Sequence, residues 1–161
     1  MSYAALKLDS QTPEVKSFQQ ARDQAKREQL WSRLRRQPTD LLCFPEVRDQ
    51  LQACIDGGTT YSEIPLQDVV GSVERCSDYT RSFLPLKDGD QQRWTRVKQA
   101  FDDSKPLPPI QVVRLGQAYF VIDGHHRVSV ARQLGLSHLE AQVLQAETQT
   151  PVDDWTCCTQ Q

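Results

Sequence analysis

The 161-residue sequence has no apolar run long enough to cross a membrane, and its first residues lack the apolar core of a signal peptide. No C-x-x-C spacing occurs among its five cysteines, which are Cys43, Cys54, Cys76, Cys157 and Cys158. A zinc site and a disulfide framework are therefore not expected, and all five are predicted to be free thiols. These absences predict a cytoplasmic protein that has no membrane contact and needs no cysteine for its activity.

A strong charge of either sign is also absent, because the formal net charge at pH 7 is only −2. The whole chain therefore has no general attraction to nucleic acid. With 38% hydrophobic and 25% charged residues, a chain of this length can bury one core, so we expect one domain with an extension.

The N-terminal part is predicted to be a helical extension over residues 1–58. Thr12 and Pro13 are typical of a helix start, and the helical pattern continues to about Arg36. Residues 14–36 contain seven basic and three acidic side chains. A second helix is predicted to run through Ile55 and to end at the glycines that follow Asp56. We expect this extension to pack on the core and to offer a basic face to a protein partner.

The remainder predicts an α+β domain with a small mixed sheet over residues 59–146, followed by a polar tail over 147–161. Two strands around a glycine predict a tight hairpin, and a helix is expected to begin at His125 and end at Gly135. The predicted strands are 63–66, 69–75, 110–115, 118–122 and 138–144, and a further helix is expected after 88–90.

The stretch that favours a functional site follows the strand 118–122 and reads Asp-Gly-His-His-Arg over 123–127. Gly124 permits a tight turn, and the first N–H groups of the next helix have no partner within it. Together with the Arg127 guanidinium they predict a binding site for an oxyanion, and Asp123 can accept a proton beside it. An ordinary turn with a helix cap remains the alternative.

A second stretch able to contact an anion contains Arg75 and Arg81 on either side of a polar loop. Surface salt bridges are the alternative interpretation of these two arginines.

The order of elements over residues 63–145 and the Gly-x-x-Arg turn resemble the ParB/sulfiredoxin superfamily, in which this turn binds nucleotide phosphates. The matching positions are Gly124, His125, His126 and Arg127. His125 stands where sulfiredoxins have their reactive cysteine, so the resemblance does not imply sulfinic-acid reductase chemistry. The Asp-Gly-His-His-Arg form is similar to the free serine kinases of the superfamily. That similarity implies that Asp123 acts on a substrate hydroxyl while His126 and Arg127 hold phosphate.

Two functions follow from the resemblance. The first is a small-molecule kinase or nucleotide hydrolase that uses ATP or another nucleotide with Mg²⁺. Its catalytic residues would be Asp123 and His126, its nucleotide contacts would come from Gly124 to Arg127 with Arg75 and Arg81, and no metal ligand is assigned. The second is a non-catalytic module that senses a nucleotide or binds a partner. Sequence-specific DNA binding is not expected, because no helix-turn-helix domain follows the predicted fold.

Overall fold

The computed structural model describes residues 17–148, which form four helices around one six-stranded sheet. The helices are α1 (Phe18–Arg35), α2 (Phe44–Leu51), α3 (Gln91–Asp102) and α4 (His125–Gln133). The strands are β1 (Leu42–Cys43), β2 (Cys54–Pro65), β3 (Val69–Ser72), β4 (Ile110–Leu115), β5 (Ala118–Asp123) and β6 (His138–Glu147). No helix within this range is long and apolar enough to span a membrane.

The sheet is mixed, as the sequence predicted, and its strand order is β1-β3-β5-β4-β6-β2. Strands β4 and β5 form the predicted antiparallel hairpin, whose turn contains Gly116 with a φ of 61°. β1 and β3, β3 and β5, and β4 and β6 pair in parallel, whereas β6 and β2 pair antiparallel. Because β5 lies inside the sheet, the turn that follows it begins from a fixed position.

Helices cover β5 on both faces. Phe120 packs on Phe44 of α2, with ring centroids 5.3 Å apart, whereas Val121 lies in the cluster that contains Val128 of α4. Each of these four side chains is buried. The apolar run that predicted this strand is thus a strand buried on both sides, which holds the end of β5 firmly.

Helix α1 packs on the core through its first half only. Ser17 caps it by accepting a hydrogen bond from the Gln20 amide, and the buried Phe18 meets Trp94 of α3 edge to face, 5.8 Å between centroids. Packing on the core therefore agrees with the prediction. The predicted start at Thr12 lies outside the described residues.

The second half of α1 does not pack on the core, so the expectation that the extension packs holds only for the first half of this helix. Leu30, Trp31 and Leu34 are 62–75% exposed. The reason is that the core contacts of α1 end after Ala25, so the remaining turns extend beyond the surface that α3 and α4 provide.

The prediction of a helix through Ile55 is wrong. Helix α2 ends at Leu51, and β2 begins at Cys54 and includes the glycines predicted to stop a helix, although its pairing with β6 is interrupted between Ile55 and Thr59. The reason is a tertiary contact, because the segment from Cys54 to Pro65 lies beside β6 in the sheet. The pairing contains an irregularity around Gly57, whose φ is 59°. The region predicted to be helical therefore contributes β1 and the start of β2 to the sheet.

The prediction of free thiols is also wrong for two cysteines. Cys43 and Cys76 form a disulfide, with Cα atoms 5.5 Å apart, although 33 residues separate them in the sequence. The parallel pairing of β1 with β3 places Cys43 beside Ser72 and so brings the two cysteines together. Cys54 is a free, exposed thiol as predicted, whereas Cys157 and Cys158 lie outside the described residues.

Candidate functional site

The turn between β5 and α4 needs glycine for two reasons. Gly124 has a φ of 101°, a left-handed conformation that other residues seldom adopt. A Cβ atom at this position would lie 2.5 Å from Cγ2 of Ile110, so a larger residue would also collide. Gly124 provides no side-chain cap, and the first N–H groups of α4 therefore have no acceptor within the helix. They lie at the positive end of the helix dipole, an environment suited to an anion.

Arg127 lies on the first turn of α4 but is bonded to protein oxygens. Its Nη1 donates to the carbonyl oxygens of Pro108 and Pro109, and its Nη2 donates to Oδ2 of Asp123 at 2.7 Å. These bonds tie α4 to the chain that enters β4. An oxyanion at the turn would therefore meet main-chain N–H groups first and would reach the guanidinium by competing with Asp123.

His125 points into the protein rather than toward solvent. It is buried, its Nε2 is 2.8 Å from Oγ of Ser72, and its ring stacks on Tyr79 with centroids 5.8 Å apart. Burial, together with the positive charge of Arg75 and the neighbouring His126, lowers the pKa of His125 to about 4. The imidazole is therefore neutral at pH 7, and any contact of this residue with an anion would involve its backbone.

A partly buried network of charges surrounds Arg75 beside the turn. The guanidinium donates to Asp78 at 2.7 Å and to both carboxylate oxygens of Asp90, at 2.9 and 3.0 Å. Lys87 also pairs with Asp78, at 2.6 Å. Burial by itself would raise the pKa of Asp78, but the hydrogen bonds from Lys87 and Arg75 outweigh it and hold this pKa below its usual range. Arg75 thus forms salt bridges, the alternative that the sequence had left open.

Two buried polar atoms in this network have no hydrogen-bond partner among the described residues, namely Nε2 of His126 and the Tyr79 hydroxyl. Nε2 lies 3.1 Å from Oδ1 of Asp90, which is close enough for an ion pair, but its direction is not that of a hydrogen bond. Burial also lowers the pKa of His126. His126 therefore has an unsatisfied ring nitrogen on the first turn of α4.

Arg81, the remaining predicted contact, is half-buried and its backbone is fixed. Its N–H donates to Thr39, and its carbonyl accepts from Arg132. Within residues 17–148 no hydrogen bond or ion pair joins the Arg81 side chain to the turn. Sequence reasoning missed Ser72 and Asp90 as members of the site, because only the fold brings them to the residues of the turn.

A metal held by protein side chains alone does not fit the described range. Residues 17–148 contain no group of three or more His, Cys, Asp or Glu side chains arranged around a metal position. Two open clefts, of about 320 and 470 Å³, lie elsewhere on the surface, and neither is lined by residues 123–127. At the turn itself Asp123 is exposed, Gly124 and His125 are buried, and His126 and Arg127 are half-buried.

Comparison with known families identifies part of the chain. Residues 77–154 match the ParB N-terminal domain. This part of the chain is ParB-like. The match confirms the relationship to the ParB/sulfiredoxin superfamily, whereas it does not test the closer similarity to the free serine kinases.

Two further comparisons add little to this ParB-like assignment. The sulfiredoxin from Arabidopsis thaliana is similar over 55% of this chain and 88% of its own length, at 18% identity and with a TM-score of 0.42. A similarity at that level says nothing about ligand or chemistry. The search of curated proteins found no match.

Proposed function

We propose that the ParB-like domain binds the phosphates of a nucleotide at the turn formed by residues 123–127. The observation that carries this proposal is Gly124, whose left-handed backbone begins α4 and leaves the first N–H groups of the helix without a side-chain cap. Backbone N–H groups at such a helix start are suited to phosphate oxygens. The resemblance to the superfamily supports a nucleotide as the source of the phosphates.

The side chains next to the turn provide further donors for this ligand. Nε2 of His126 is buried and makes no hydrogen bond among the described residues, although it lies 3.1 Å from Asp90, and a neutral imidazole can donate one hydrogen bond to a phosphate oxygen. Arg127 would turn its Nη2 from Asp123 to the phosphate, because a dianion attracts a guanidinium more strongly than an exposed carboxylate does. The predicted contacts from Arg75 and Arg81 would require new positions for those side chains.

A phosphotransferase or nucleotide hydrolase is the first candidate activity, and Asp123 is the residue that favours it. Its side chain is 69% exposed at the end of β5, so a substrate hydroxyl or a water can reach it. The carboxylate would accept the proton from that nucleophile. Magnesium would arrive on the nucleotide phosphates, where it neutralises charge, and Asp123 is the exposed carboxylate at the turn that could help to hold it.

The second candidate is a sensing module, and the outer half of α1 favours it. Leu30, Trp31 and Leu34 are exposed on a helix that also carries Arg27 and Arg35. Exposed apolar side chains of this size commonly mark a contact surface. The nucleotide would then regulate an interaction made through α1, and no turnover would be observed.

Titration of ¹⁵N-labelled protein with ATP, ADP, CTP and GTP, each with and without Mg²⁺, tests the proposal. We expect the amide signals of residues 124–127 to shift most, and Arg127→Gln to weaken binding by about tenfold, since one charged hydrogen bond is lost. Arg114→Gln is the matched control, because Arg114 is an exposed arginine at the other end of the same hairpin. Shifts confined to other residues, or equal affinities for the two variants, would refute the assignment of the turn.

A further inference from the structure

Strand β2 is an edge of the sheet and is unusually long for that position. It spans 12 residues, and β6 is its sole partner in the described sheet. Half of its backbone N–H and C=O groups therefore face away from the sheet. An exposed strand edge of this kind is a template for pairing with another strand.

The middle of β2 has few of the features that usually protect such an edge, because Glu63 is its one charged residue. Residues 59–63 read Thr-Thr-Tyr-Ser-Glu, without proline or lysine, and all five are exposed. The irregularity at Gly57 bounds this segment on one side, and Pro65 bounds it on the other. An open stretch with high strand propensity thus lies between two interruptions.

We propose that β2 of one protomer pairs antiparallel with β2 of a second copy, with Tyr61 opposite Tyr61. The two six-stranded sheets then form one continuous sheet across a two-fold axis. This register places Thr59 opposite Glu63 and Thr60 opposite Ser62, so that the two Glu63 carboxylates are not opposed. The segment is thus complementary to itself, and Tyr61, which is 72% exposed, gains an aromatic neighbour.

The other exposed apolar surface is less suited to a second copy. Around Leu30, Trp31 and Leu34, the outer half of α1 carries Arg27, Arg33 and Arg35 with a single acidic residue, Glu28. Two such helices would repel each other, so charge favours a dimer through β2.

The proposed dimer is independent of nucleotide binding. In the sheet, β4 and β6 lie between β2 and β5, the strand that ends at the candidate site. Pairing at β2 therefore does not involve the turn at Gly124 in either protomer. Loss of the dimer would not remove nucleotide binding, and loss of nucleotide binding would not dissociate the dimer.

Sedimentation equilibrium of the full chain over a range of concentrations tests the interface. We expect a monomer–dimer equilibrium that Tyr61→Lys shifts to monomer while the circular dichroism spectrum stays unchanged. Trp31→Lys is the matched control, because it adds the same charge at the other exposed aromatic surface, and it should leave the dimer intact. A monomer at all concentrations would overturn the proposal, and so would a dimer that only Trp31→Lys dissociates.

Two substitutions at one position test the register. Thr59→Glu places like charges opposite Glu63 twice in each dimer and should weaken it by about twofold to thirtyfold. Thr59→Lys places opposite charges there and should weaken it less or strengthen it. Equal effects of the two substitutions would overturn the register centred on Tyr61.

Discussion

A series of glycine-to-alanine substitutions can measure how much stability the turn at Gly124 loses when its glycine is replaced. Three glycines differ in the two properties that matter, backbone angle and space. At Gly89 an added Cβ meets nothing within 4 Å and φ is not in the left-handed region. At Gly57 the space is equally open but φ is 59°, and at Gly124 φ is 101° and the Cβ would lie 2.5 Å from Ile110.

The backbone angle and the space at each glycine set the expected change in the free energy of unfolding. Gly89→Ala should change the free energy of unfolding by no more than about 0.5 kcal/mol. Gly57→Ala should cost about 1–2 kcal/mol, the penalty for a left-handed residue. Gly124→Ala adds overpacking against Ile110 and should cost about 2–5 kcal/mol in total. For a chain of this size that is a fall of roughly 4–20 °C in the melting temperature.

Thermal and urea unfolding of the three variants provide the measurement. Ile110→Ala removes Cγ2, the closer of the two colliding atoms, and keeps Cβ at 2.9 Å, so Gly124→Ala should cost about 1 kcal/mol less in that background than in the wild type. If Gly124→Ala costs no more than Gly57→Ala, the close approach to Ile110 does not shape the turn. A requirement for glycine at the start of α4 beyond the penalty for a left-handed residue would then be refuted.

Three further predictions concern other residues of the site. Asp123→Asn should leave nucleotide affinity nearly unchanged and, if the protein is a phosphotransferase or hydrolase, should lower turnover by orders of magnitude, read as ADP or phosphate release; full activity of this variant would exclude the catalytic role. His125 stays neutral in the folded protein down to about pH 4, while the unfolded chain binds a proton near pH 6.5, so stability should fall by about 3 kcal/mol from pH 6.5 to pH 4. The free energy of unfolding, measured by urea titration at several pH values in that range, should change less with pH for His125→Asn than for the wild type. Replacement of all five cysteines by serine should retain nucleotide binding, as measured by calorimetry, and a folded variant without binding would contradict this.

Local features of the fold were predictable from the sequence. The β4–β5 hairpin and the start of α4 depend on residues close together in the chain, namely an apolar run, a turn glycine and Gly124. Their positions agree with the prediction to within a residue or two. Each is specified by its own few residues, so distant pairing had little influence.

Features that depend on distant segments could not be predicted. The length of β2 is set by β6, about eighty residues later, and the glycines near Gly57 read as a helix stop until that pairing is known. Arg75 likewise donates to Asp90, fifteen residues later in the chain, and the loop between them has no periodic pattern that would predict this contact. Sequence reasoning therefore located the turn but missed the buried carboxylate beside it.

The disulfide between Cys43 and Cys76 also determines what the protein becomes when it loses its fold. The bond closes a covalent ring that contains α2, β2 and β3, and this ring persists in urea as long as the bond is intact. By loop-closure entropy a ring of that length disfavours the denatured chain by about 4 kcal/mol. With the bond intact, the denatured chain is a loop with two tails and exposes less surface than the reduced denatured chain. The free energy of unfolding of the oxidised protein should therefore fall less steeply with denaturant concentration.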